Sequence, residues 1–242
     1  MTTPLPGDEA SKAVQEVAKA TEKAIGAAEK FGSFIARFVA GPLEQGVGIF
    51  EDKLKYMRWE RQLRLMARAT ELARQIGAKQ PFQPIPLKIA IPLLEAASLE
   101  DDDYLQDLWA RLLVGAATRS GGATLTRAHV SILEQLSPFE ASILQIIYTL
   151  PYEEVLHDGI LTAGLPESVV HNPRTARESP PDPSQDARLA LANLARVGCI
   201  ALHRSMGGGE FFSIVHPTLL GLSLVQACTL PAEAEKPVGV RS

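Results

Sequence analysis

Apolar and small side chains recur at Val14, Val17, Thr21, Ala24, Ala28, Phe31, Ile35 and Phe38, in steps that alternate three and four residues. That spacing keeps one seam on one side of a helix, so residues 10–40 predict a single amphipathic helix. Valine and alanine make the seam weak at its start, and phenylalanine makes it strong at its end. Lys12, Glu16, Lys19, Glu22, Lys23 and Lys30 take the other faces. The run Ala40-Gly41-Pro42 ends the pattern, and proline suits the first turn of a new helix, predicted over 42–76 with Gly77 as its stop.

Three prolines in "KQPFQPIPLK" predict an extended connector. "IPLLEAA" then predicts a short helix with Pro92 near its start. Leu105, Leu108, Trp109, Leu112 and Ala116 follow at helical spacing and predict a buried face that ends in "TRSGGAT". Ser137 and Glu140 have capping-box spacing, with Pro138 at the first helical position. Residues 151–185 hold many prolines and little periodicity, which predicts loop. A helix over "SQDARLALANLARVG", the pair "CIALHR" and "FFSIVH" around a glycine turn, and a closing helix over "PTLLGLSLVQAC" complete the chain.

The expected fold is mainly α: a helical N-terminal bundle with long amphipathic helices, then a winged-helix-like C-terminal domain with a small β-hairpin. The expected domains are 10–129 and 130–230, with a proline-rich loop at 172–185 and disordered tails at 1–9 and 231–242.

Charge sharpens this picture. From Lys53 to Lys79 the sequence carries eight basic residues and two acids; from Glu95 to Asp107 it carries six acids and no base. Two helices so close in sequence and opposite in sign are expected to lie together. The basic surface is assigned to Arg58, Arg61, Arg64 and Arg68, and the acidic surface to Glu100, Asp101, Asp102, Asp103 and Asp107. Ser98 is expected to cap the second helix, with Asp101 closing a capping box and the other acids favouring the positive helix start. A divalent cation would want these oxygens. Consecutive helical residues, however, point about 100° apart, and no calcium-loop spacing is present. No metal or cofactor is expected.

Several function classes lose support. The apolar run at 31–50 is cut by Arg37, Pro42 and Glu44, far short of the roughly 18 residues a spanning helix needs. No secretory signal is visible, and Cys199 and Cys228 lack CxxC spacing, so a cytoplasmic location is expected. The five histidines show no ligand spacing, although His216 could face Cys199 across the hairpin. Phosphate loops and nucleophile elbows are absent, so no catalytic residue is assigned. In the presumed recognition helix Arg188, Asn193 and Arg196 could reach bases. Residues 130–230, however, carry ten acids, five arginines and no lysine, which repels phosphate. Nucleic acid is not the expected partner.

"EDKLKYMRWERQLRLMARATELARQ", "PIPLKIAIPLLEAASLEDDDYLQDLWARLLVGAA", "LEQLSPFEASIL" and "LANLARVGCI", in that order, resemble the abortive-infection alpha family of bacterial proteins. The resemblance implies a mainly helical protein of phage resistance with no established catalytic chemistry, and hence no active-site residues to carry over. The 10–40 helix lies outside it, and 172–185 reads as a local elaboration. The expected role is defence by association rather than catalysis. Phe31, Phe34, Ile35, Arg37 and Phe38 would contact a partner defence protein, a phage component or, peripherally, the inner membrane on activation. A homo-oligomer stays open. The alternative is a winged-helix regulator of a neighbouring defence or toxin gene. A further rival is a nuclease or hydrolase that uses the 100–107 carboxylates.

Overall fold

The computed structural model describes residues 26, 30, 32–38, 59–78, 82–118, 125–173, 180–204 and 207–230. The tails, most of the 10–40 helix, Phe31, the 41–48 glycines and Arg58 lie outside these residues.

The described chain is mainly helical, with one small antiparallel sheet. Residues 32–35 are helical and run into a turn at 36–38. Helix α1 spans Trp59–Gln75, α2 Leu87–Leu99 and α3 Asp103–Thr118. Shorter helices follow: α4 (Arg127–Leu133), α5 (Pro138–Ile147) and α6 (Tyr152–Val155). Strands β1 (Ile160–Leu161) and β2 (Val170–His171) precede α7 (Gln185–Arg196), β3 (Ile200–Arg204), β4 (Glu210–Pro217) and α8 (Leu219–Cys228).

Helix α1 buries Gln62, Leu65, Ala69 and Leu72 while its arginines keep to another face. Helix α3 is different. The spacing predicts one buried face, but Leu105, Gln106, Leu108, Trp109, Ala110, Leu112, Leu113, Val114, Gly115 and Ala117 are all buried. It is the central helix, touched by α1, α2, α5 and α8. Ala110, Gly115 and Ala117 are small where neighbours approach closely. Helix α2 starts earlier than expected, directly after Pro86, so Pro92 sits inside it rather than in its first turn.

Ser137 and Glu140 form the expected capping box: Ser137 Oγ accepts from Glu140 N at 3.2 Å, and Glu140 Oε2 accepts from Ser137 N at 2.7 Å. A second box starts α4, where His129 Nδ1 accepts from Thr126 N at 3.4 Å.

The sheet runs β2-β1-β4-β3, all neighbours antiparallel. The expected hairpin is therefore half of a four-stranded sheet. The stretch 151–185 supplies β1 and β2, each two residues long and too short to show alternation. Ile160 pairs with both Val215 and His171, and Leu202 with Val215, with an irregularity between Leu202 and His203. Gly198, at φ +79°, provides the left-handed turn that lets α7 hand over to β3. Helix α8 then returns to α3, so one contiguous core extends from Phe34 to Leu230.

Candidate functional site

Three features place chemistry together: the arginine ladder of α1, the docked segment at 32–38, and the junction where α5, β3 and α8 meet.

Arg61, Arg64 and Arg68, spaced three and four residues apart, project along one edge of α1 toward the start of α3. Arg61 Nη1 lies 2.6 Å from Asp103 Oδ1, and its Nη2 donates to the Asp101 carbonyl. Arg64 reaches Asp103 at 3.1 Å and Asp107 at 3.2 Å, and Arg68 reaches Asp107 Oδ2 at 3.0 Å. Gln106 is fully buried between the helices. Its Nε2 donates to the Arg61 and Ala97 carbonyls, and its Oε1 accepts from Arg64 Nη1 at 2.9 Å. These acids and bases satisfy one another, which offsets charge that would otherwise be free for a phosphate or a cation.

The cap is not where the sequence placed it. Ser98 lies buried inside α2, its Oγ without a hydrogen-bond partner. Asp102 caps α3 instead: its Oδ1 accepts from Tyr104 N at 2.9 Å and Leu105 N at 3.0 Å, while Glu100 Oε1 accepts from Asp102 N. The two helices are separated by Glu100, Asp101 and Asp102 alone, so a serine three residues before Asp101 still belongs to the earlier helix. The carboxylates thus diverge: Asp101, Asp103 and Asp107 face arginines, and Glu100 and Asp102 accept from backbone N–H groups. Among the described residues no group of three His, Cys, Asp or Glu side chains is placed to hold a metal ion.

In the docked segment, Phe34, Ile35 and Phe38 are 2%, 2% and 1% exposed. The Phe38 ring stacks at 4.8 Å on Phe82, and its carbonyl accepts from Ile85 N at 2.7 Å. The Arg37 guanidinium sits 5.1 Å from the Phe34 ring centre, a cation–π contact. Gln83 N donates to the Ala117 carbonyl, so the connector 82–85 lies between this segment and the end of α3.

At the third feature, the Tyr148 hydroxyl accepts from Thr218 N at 2.9 Å and shares its hydrogen between the Cys199 carbonyl, at 2.7 Å, and the Thr218 carbonyl. Burial pushes this hydroxyl up to about 12, above the ordinary value near 10. It also pushes the Cys199 thiol up to about 12, which makes it a poor nucleophile at neutral pH. Residue 221 is glycine because a Cβ there would overlap the Cys199 carbonyl oxygen and the Tyr148 hydroxyl.

His129 Nε2 lies 3.1 Å from Ser223 Oγ. Its Nδ1 accepts from the Thr126 backbone, so the ring hydrogen sits on Nε2 and donates to the serine. The pair joins α4 to α8. His216 is opposite Ala201, not Cys199; its Nδ1 is 3.4 Å from the Leu156 carbonyl. On α7, Asn193 Nδ2 donates to the Gln135 carbonyl, and Arg196 bonds Asn193 Oδ1 and Gln135 Oε1. Arg188 lies 4.0 Å from Asp182. Sequence reasoning missed Gln106, Tyr148 and His129. The signal for Gln106 was a lone amide in an otherwise apolar stripe; the tautomer of His129 left none.

Among the described residues no helix is long and apolar enough to cross a membrane. A comparison with protein families matches residues 60–228 to abortive infection alpha. The match takes in all of α1 but its first residue, and everything on to the end of α8. The chain belongs to that family, which assigns it to abortive infection, a defence against phage. No curated protein and no solved structure matches it.

Proposed function

We propose that this abortive infection alpha protein defends by association rather than by bond-making chemistry, and that the segment around Phe34, Ile35 and Phe38 is its effector. At rest the segment covers the connector 82–85. On infection it leaves and presents its apolar seam, with Phe31 and Arg37, to a partner defence protein or phage component, or to the surface of the inner membrane. The observation that carries this reading is how the seam docks: three large apolar side chains from one short segment join the core, and the Phe38 carbonyl accepts from Ile85 N in the connector. The ladder supports it from the other side, because Arg61, Arg64 and Arg68 are occupied by the chain's own acids.

The test is a chain carrying Phe38→Cys and Phe82→Cys, bridged by a short bifunctional maleimide. Cys199 and Cys228 are buried and should be spared. The bridged protein should lose phage protection and liposome binding relative to the unbridged double variant, which carries the same loss of two rings. Equal protection by the two forms would end the proposal.

The C-terminal half supports a second reading. We propose for it a winged-helix-like reading, supported by α7 ahead of the β3–β4 hairpin and by β1 paired with β4. A regulator of a neighbouring gene would use α7 on DNA, yet Asn193 is bonded to the Gln135 carbonyl and acids outnumber arginines two to one in this half. We therefore propose a protein-contacting role for this half. A promoter gel shift at two salt concentrations separates the readings, since phosphate binding weakens steeply with salt.

A further inference from the structure

We infer that the outer edge of β3 and the face of α7 beside it form a docking groove for an extended, acidic peptide segment of a partner protein. The sheet order leaves β3 at one end, with β4 on its inner side and no strand among the described residues on its outer side. An edge strand turns alternate N–H and C=O groups outward, and an added strand satisfies them. Between this edge and α7 lies a hollow of about 460 Å³. Ala192 and Ala195 form its helical wall, where small side chains leave room for the side chains of a guest strand, and Leu202 faces them.

Charge selects the occupant. Arg196 and Arg204 stand at the rim against one carboxylate, Glu210, which lies 3.6 Å from Arg204. Two bonds to Asn193 and Gln135 hold the Arg196 guanidinium in place, so little side-chain freedom remains to be lost when an acid binds. The net cationic rim is unusual in a C-terminal half where acids outnumber arginines two to one. Duplex nucleic acid needs a broad basic surface, which this half lacks. A strand bearing one or two acidic side chains fits both the edge and the rim.

The groove is separate from the docked seam at residues 32–38, and its test leaves that seam untouched. A random peptide library displayed on filamentous phage is selected on the full-length protein and counter-selected on Ala195→Trp, which fills the hollow at a half-exposed position. Selected peptides should alternate apolar and polar residues and carry Asp or Glu. They should bind the Ala195→Trp and Arg196→Glu/Arg204→Glu variants about tenfold more weakly, and the double variant should shift the preference toward Lys. Unchanged thermal unfolding of the variants shows that the fold survives. Three outcomes overturn the inference: no enriched peptide that distinguishes wild type from Ala195→Trp; a concentration-dependent dimer lost in that variant, which would make the occupant a second copy; or duplex DNA binding lost in it.

Discussion

The contact between α1 and α3 and the contact between α5 and α8 close two parts of one core by different chemistry. The first is ionic: three arginines against three aspartates along an exposed edge, with one buried amide, Gln106, beneath them. The second is neutral: one half-buried phenol that joins the start of β3 to the start of α8, with Thr218 Oγ1 donating to the Gly198 carbonyl beside it at 2.6 Å. Exposed ion pairs contribute little each and yield to salt, but their signs determine which helix faces meet. A half-buried neutral network tolerates salt, and losing one member leaves the others without a partner. The difference predicts where substitutions will be felt.

The largest effect should come from Gly221→Ala. The added methyl has nowhere to go, because backbone at Cys199 closes one side and the Tyr148 ring the other. Overpacking of this kind costs about 3 kcal/mol, read as a fall in the urea midpoint with the slope unchanged. A variant as stable as wild type would show that the junction is looser than described.

Tyr148→Phe should cost less, about 2 kcal/mol, since it leaves Thr218 N and the Cys199 carbonyl without their partner. It should also change the pH response. The folded Tyr148 hydroxyl is pushed up to about 12 by burial, so between its ordinary value near 10 and 12 the unfolded chain binds fewer protons than the folded one. The stability from the neutral phenol is complete below pH 10 and is lost as pH rises toward 12. Stability of the phenylalanine variant should fall less steeply over that window. Cys199 and Tyr104, both raised by burial in the same direction, contribute to the slope that remains. Equal alkaline slopes would contradict the assignment.

How far the sequence disclosed these two regions follows from their chemistry. The ionic contact was legible, because a run of bases and a run of acids separated by a short connector can be counted along the chain. Long periodic elements were legible too: α5, α7 and the β3–β4 pair fall where their patterns put them, and α1 ends where the 42–76 pattern does, residues 42–58 of it lying outside the described residues. The neutral junction was not. Tyr148 acts on Cys199 and Thr218, 51 and 70 residues away, and nothing local to it announces either partner. Strands of two residues, such as β1 and β2, carry no period to detect. The cap was misplaced by local ambiguity: Ser98 and Asp102 are both good caps, and only the end of α2 decides between them.

The smallest effect is the one that separates the two chemistries. Asp107→Asn keeps the shape of the side chain and removes the charge that Arg64 and Arg68 share, at 3.2 and 3.0 Å. Its side chain is 25% exposed, so the loss should be about 0.5 kcal/mol at low ionic strength. In 1 M salt the screening length shrinks to about 3 Å, and the gap between this variant and wild type should close. The Tyr148→Phe deficit, measured in the same titration, should not move, because no ion takes part in it. A gap for Asp107→Asn that persisted in high salt would mean that the ladder behaves as a hydrogen-bonded unit like the tyrosine junction. The matched runs of charge would then act through directional bonds to Gln106 and the helix backbone, not through their signs.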